Sequence, residues 1–247
     1  MRKVFVGLSL AVTCLAQMPV AIVAGTPPAV VATGLTLLAH GAQSCAGPSC
    51  TTPTVTINST GATLLTIVDS SAGNHDPSTD TINDSNGNTW HASTSVISSI
   101  ATVIWRAYDK AGSPLSVGPG QTIGITGGYV GFSVQAWSGT LTSPTDPYDK
   151  QSINSSSSNV SSLTYPGTTC SQAHSLLLAA AGIHIAGTYS IDTGFTVIDT
   201  VNFVAGNTAG MGVAYLIQTT ATAVTPTWTS TGTASTWAIT LDCFKAL

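Results

Sequence analysis

From Val55 to the end of the chain, apolar residues gather in runs of a strand's length, and no run keeps the 3.6-residue period of an amphipathic helix. The runs lie at Ala62 to Asp69, Asn88 to Ala92, Ile100 to Tyr108, Gln121 to Thr126, Val130 to Trp137, Ser175 to Ile185, Phe195 to Thr200, Gly212 to Gln218, Thr225 to Thr229 and Thr236 to Phe244. Gly, Pro, Asn and Asp punctuate them, as turns require. Short strands in that arrangement predict an all-β sandwich or barrel and argue against a parallel α/β sheet.

The runs repeat in order. "ATLLTIVDSSAG" (62–73) resembles "HSLLLAAAGIHIAG" (174–187), and "IATVIWRAYDKAG" (100–112) resembles "AGMGVAYLIQTTA" (209–221). "QTIGITGGYVGFSVQAWSG" (121–139) then resembles "TPTWTSTGTASTWAITLDCF" (225–244). Two related β-units are expected, at about 55–142 and 163–247 within one domain over 54–247. The Ser/Asn-rich "QSINSSSSNVSS" (151–162) reads as the crossing connection between them.

Ahead of the domain lie two other segments. Residues 1–24 pair a basic start, Arg2-Lys3, with an apolar run and small residues at Val23-Ala24-Gly25, the pattern of an export signal. A retained apolar arm or anchor is the rival, since about 20 apolar residues just span a bilayer. Gln17 and Pro19 count against a span. Residues 25–53 read either as an Ala/Gly/Pro/Thr-rich linker or as an extended arm whose run from Ala29 to Ala39 adds a strand to a neighbouring subunit.

Composition narrows the setting. Only 6% of residues are charged, and the ten acids are all Asp, which disfavours long solvent-facing helices. Six Lys plus Arg and a net charge of −4 leave no basic stripe for nucleic acid. Outside the signal-like segment stand Cys45, Cys50, Cys170 and Cys243, an even set that suggests two disulfides in an oxidising compartment. Cys45 and Cys50 can close a small loop around Gly47-Pro48. The repeat puts Cys170 at the start of one strand and Cys243 at the end of its antiparallel neighbour, within bridging reach. No His or Cys at paired ligand spacing accompanies them, so zinc is disfavoured.

"INDSNGNTW", "VIWRAYDKAG", "VGFSVQAWSG" and "PYDK" resemble a loosely defined group of exported bacterial and phage-associated β-sandwich proteins. They share an Asp-Ser-x-Gly-Asn-Thr-Trp turn and a later strand ending in Trp-Ser-Gly. The resemblance covers about residues 55–247. It implies an antiparallel jelly-roll-like β-sandwich and an extracellular or virion setting, and it transfers no catalytic residue.

No nucleophile elbow, zinc-protease helix, phosphate loop or dinucleotide fingerprint occurs. His75, His91, His174 and His184, with Asp109, Asp146 and Asp149, are the scattered groups a hydrolase would have to use. Trp90 and Tyr148 are the aromatics best placed to meet a surface glycan, the other tryptophans reading as packing. Asp84, Asn86 and Asn88 match the first three ligand positions of a calcium loop, but Gly87 comes early and Ser95 stands where a bidentate Glu belongs, so at most a weak Ca2+ site is expected. Asn86-Gly87 is read first as a type I′ hairpin turn between Thr81-Ile82 and Thr89-Trp90.

The function expected is therefore a non-enzymatic structural protein that self-associates in an extracellular assembly, such as a virion decoration or tail component or a cell-surface filament or layer. A carbohydrate-binding adhesin is the alternative and a secreted hydrolase the third reading. No cofactor, nucleic-acid partner or stable membrane span after signal removal is expected.

Overall fold

The computed structural model describes residues 34–45, 52–73, 75–110, 112–126, 130–140, 145–185, 187–192, 194–203, 209–231 and 235–246. The signal reading of residues 1–24, Cys50 and the start of the Ala29–Ala39 run lie outside them. The first half contains β1 (Thr36–Cys45), β2 (Thr54–Ile57), β3 (Leu64–Ala72), β4 (Thr81–Asp84), β5 (His91–Ala92), β6 (Val96–Ile97), β7 (Ile100–Tyr108), β8 (Gln121–Thr126) and β9 (Val130–Ser138). The second contains β10 (Tyr148–Val160), β11 (Ser162–Thr164), β12 (Ser175–Ile183), β13 (Tyr189–Ile191), β14 (Thr196–Phe203), β15 (Ala209–Gln218), β16 (Thr227–Ser230) and β17 (Ser235–Phe244). One short 3₁₀ turn, Pro77–Thr79, is the only helical element among the described residues.

All pairings between these strands are antiparallel. The large sheet of the first half runs β1-β9-β3-β7-β5, with β6 also on β7, and its small sheet runs β2-β8-β4. The second half repeats this as β10-β17-β12-β15-β14 and β11-β16-β13. With β5 and β6 counted as one position, both halves wind in the order 1-8-3-6-5 and 2-7-4. Pairing the first position with the last, the second with the seventh and the third with the sixth is the coiled ribbon of a jelly roll. The register repeats as well. A bulge falls at Leu38, between Leu37 opposite Trp137 and Ala39 opposite Ala136. Its counterpart falls at Asp149, between Tyr148 opposite Phe244 and Lys150 opposite Cys243.

The two jelly rolls lie with their large sheets face to face. Between them, Leu64, Val68, Ile100, Ile104 and Trp137 of one half meet Leu176, Leu178, Phe203, Met211 and Phe244 of the other. Two further cores fill the space between each large sheet and its small one, around Ile67, Val103 and Phe132 in the first half and around Tyr165, Trp228 and Trp237 in the second. Each large sheet is thus covered on both sides. That explains why β12, "SLLLAAAGI", is buried at every residue and shows no alternation, unlike an antiparallel strand with one wet face. Two glycines set the closeness of the layers. A Cβ on Gly182 would stand 2.3 Å from the Thr102 hydroxyl, and one on Gly131 would stand 2.5 Å from the Phe203 ring.

Several polar bonds cross the seam. Ser133 on β9 donates to Asp199 on β14 at 2.5 Å, and Ser93, just past β5, donates to Asp242 on β17. Each of these two bonds joins the eighth strand of one half to the fifth position of the other. Cys170 and Cys243 form a disulfide with Cα atoms 5.9 Å apart, and Cys45 is also disulfide-bonded.

Two expectations are corrected. The stretch 151–162 is not a connection: it belongs mostly to β10, the edge strand that opens the second half. An edge strand tolerates Ser and Asn because one ladder and much of one face stay in water. Likewise, residues 25–53 are not linker throughout, since β1 occupies Thr36–Cys45 and pairs with β9 of its own chain. No helix among the described residues is long and apolar enough to cross a membrane.

Candidate functional site

The turn after β4 is organised by one carboxylate. Asp84 Oδ1 accepts from the Asn86 backbone N–H at 2.9 Å and from Gln121 Nε2 at 2.7 Å. Its Oδ2 accepts from Asn88 Nδ2 at 2.8 Å and from Trp90 Nε1 at 3.2 Å. A carboxylate has about four lone-pair sites, and four N–H donors fill them. Asn88 Oδ1 is occupied too, accepting the Ser116 backbone N–H at 2.7 Å. Asp84, Asn86 and Asn88 therefore meet as expected, but what surrounds the carboxylate is N–H groups, which repel a cation. The calcium reading is replaced by a structural hub.

The hairpin reading fails at the same place. β4 pairs with β8 and β5 with β7, so the turn carries the chain from the small sheet to the large one. Gly87 has φ 70° while Asn86 keeps an ordinary negative φ, and Gly87 N–H bonds back to the Asp84 carbonyl at 3.0 Å. The Asp84 side chain, mimicking a backbone carbonyl, selects this Asx turn over the type I′ geometry. Trp90 is half-buried against the first outer core and spends its indole N–H on Asp84. It is a strut of the turn, not an open sugar platform. Replacing Asp84 by Ala is expected to lower the unfolding free energy by about 3 kcal/mol, because four donors lose one shared charged acceptor. Equilibrium urea unfolding measures this, and a loss below about 0.5 kcal/mol would show that water replaces the carboxylate at no cost.

Beside the hub opens a cleft of about 270 Å3. Asn86, Asn88, His91, Tyr108, Lys110 and residues 112–116 line it. The His91 and Tyr108 rings lie 5.5 Å apart at 36°. Burial, and then the nearby Arg106 charge, push the His91 imidazole below its ordinary value, so it stays neutral at physiological pH. With amides, hydroxyls, one Lys110 ammonium and a Tyr108 face, the cleft is suited to a small polar hydroxylated group. Sequence reasoning missed Tyr108, Lys110 and Ser116; the signal available was the Gly-Ser-Pro turn after Lys110, which brings the loop back over β7.

Tyr148 lies elsewhere, at the seam between the halves. Arg106 grips Asp146 through Nε at 3.1 Å and Nη2 at 2.7 Å, and its guanidinium carbon stands 4.4 Å above the Tyr148 ring. Phe244 meets that ring edge-on at 6.3 Å. The bidentate pair and the stacked ring fasten the start of β10, and burial raises the Tyr148 phenol above its ordinary value. Trp90 and Tyr148 thus do not form one surface.

The scattered acids also serve local geometry. Asp149 accepts from Ser171 N–H at 2.6 Å and hydroxyl at 2.8 Å, and Asp109 from Leu115 N–H at 3.4 Å. His174 holds a left-handed backbone at φ 57° before β12. Among the described residues, no three His, Cys or Asp side chains converge in a metal-holding group. No protein-family model, curated protein or solved structure matches the chain.

Proposed function

We propose that this chain is a non-enzymatic structural β-sandwich protein of an extracellular assembly, a virion decoration or tail component or a unit of a cell-surface filament or layer. The observation that carries this reading is where the large exposed apolar side chains among the described residues lie. Leu38 and Val197 stand on β1 and β14, edge strands on one flank of the seam, and Ile97 and Ile153 stand on β6 and β10 on the other flank. Isolated exposed apolar residues are ordinary on any surface; their confinement to sheet edges on both flanks is what favours lateral association. Covering each side chain contributes about 1 kcal/mol, so association through them alone is weak and grows with concentration.

Sedimentation velocity across a concentration series tests this. Larger species are expected to build up with the wild type and to vanish in a Leu38→Lys, Ile153→Lys variant whose unfolding transition is unchanged. A monomer at every concentration would sink the reading. The glycan-binding alternative is favoured by the His91 and Tyr108 cleft, and saturable binding on a glycan array, lost in Tyr108→Ala, would promote it.

A further inference from the structure

Asp69 lies fully buried in β3, on the face turned toward the small sheet, and neither of its carboxyl oxygens has a hydrogen-bond partner among the described residues. Its neighbour Asp80 follows the 3₁₀ turn, and its Oδ2 is buried and unpartnered as well. The other oxygen of Asp80 meets His75 Nε2 at 2.6 Å. The Asp80 side chain is only 4% exposed, whereas that of His75 is 44% exposed. The row therefore runs from a sealed carboxyl, through a second one, to a ring in contact with water.

Two ionised carboxylates side by side, with no proton between them, would cost several kcal/mol in desolvation and repulsion. One proton removes the difficulty. Placed on Asp69, it makes that side chain an O–H donor to Asp80 Oδ2, satisfying both acids and leaving Asp80 charged toward His75. The remaining titratable group close by is Asp76, which caps the turn by accepting from the Ser78 N–H at 3.0 Å and hydroxyl at 2.7 Å. β3 and β7, against which the turn packs, contribute Trp105, whose Nε1 is also unpartnered, and apolar side chains. We propose that Asp69 and Asp80 hold a single proton between them and, with His75, form a pH-operated latch that fastens residues 75–80 onto the first large sheet.

When the latch opens, that proton passes to water and two carboxylates remain; no other covalent bond changes. The direction follows from the environment. Burial first, and then the Asp80 charge, raise the Asp69 acid well above its ordinary value, and burial likewise raises Asp80. A raised acid stabilises the closed form fully below the ordinary Asp range and loses that contribution as pH climbs toward the raised value. The latch is shut in acid and loosened in base. Since residue 80 runs directly into β4, loosening reaches the edge of the small sheet and the Asp84 turn.

Hydrogen exchange on the full chain, corrected for intrinsic rates, reads the latch at the Thr79 and Asp80 amides, which bond to the Asp76 and Pro77 carbonyls. Their protection is expected to fall about tenfold per pH unit above the ordinary Asp range, then level off. Asp69→Asn, which carries an amide donor at every pH, is expected to abolish that dependence while keeping the fold. Carbon-13 carboxyl shifts of the wild type give a second readout, with one of the two acids still protonated above the ordinary Asp range. Protection that follows pH equally in wild type and Asp69→Asn, or carboxyl shifts showing both acids titrating in the ordinary Asp range, would overturn the proposal.

Discussion

Raising the pH from about 4 to about 8 should lower the unfolding free energy by about 4 kcal/mol through Asp242 alone. Asp242 is fully buried on β17, between the two large sheets, and burial raises its carboxyl from 3.8 to about 7. Hydrogen bonds from Ser93 and from Thr240 at 3.3 Å, with the Arg106 charge, oppose that rise without cancelling it. The group's folded value lies above its unfolded one, so its contribution is complete below about pH 4 and disappears as pH rises through about 7. A gap of about three units, at about 1.4 kcal/mol per unit, sets the size. Denaturant melts at a series of pH values measure it. Asp242→Asn keeps the shape and an acceptor for Ser93 but carries no titrating proton, so its melts should lack this component. Equal pH slopes for both proteins would remove Asp242 from the account. The Asp69 latch has the same sign, but its readout is local to residues 79 and 80, so the two effects separate.

Replacing Cys170 and Cys243 together by Ala should cost about 4 kcal/mol, because their bridge closes a loop across 73 residues of sequence. Both sulfurs sit in the second outer core, so Ala leaves the surroundings apolar and a hydroxyl would not. Denaturant melts of the oxidised wild type and the double variant give the difference. The variant's steeper denaturant dependence should report an unfolded chain released from its loop. A loss below about 1 kcal/mol would mean that this loop is already held closed in the unfolded ensemble.

The interior strands were legible because they are nearly uninterrupted apolar runs. The expected limits of β7 and β8 coincide with the observed ones, and those of β17 differ by one residue. Weak similarity between the halves was enough to find the duplication, since it fell on the third, sixth, seventh and eighth strands, the ones sealed on both faces or closing the outer cores. The edges were not legible. "TLLAHGAQSC" and "YDKQSINSSSSNV" carry small polar residues where a strand is only half covered, and composition cannot distinguish that from loop.

At the 84–90 turn, spacing told the truth about convergence and misled about chemistry. Asp-x-Asn-x-Asn brings the same side chains together in a calcium loop and in a hydrogen-bond hub. Whether Asn88 turns its N–H or its carbonyl toward Asp84 depends on Ser116, which is 28 residues away in the chain. Asp69 gave a clearer hint, an acid within "TIVDSS", but its meaning came from Asp80, which the sequence gives no reason to place beside it.

The matched winding and matched bulges give the two halves the geometry of a homodimer whose two subunits are joined in one polypeptide. In such a dimer every residue at the contact is used twice, so any substitution strikes both ends of the interface at once. Joining the copies in one chain removes that constraint and makes their association independent of concentration. The first half carries the Asp84 hub, the cleft and the acid pair, while at the matching turn of the second half Asp192 accepts the Thr227 N–H at 2.7 Å ahead of Gly194 at φ 81°.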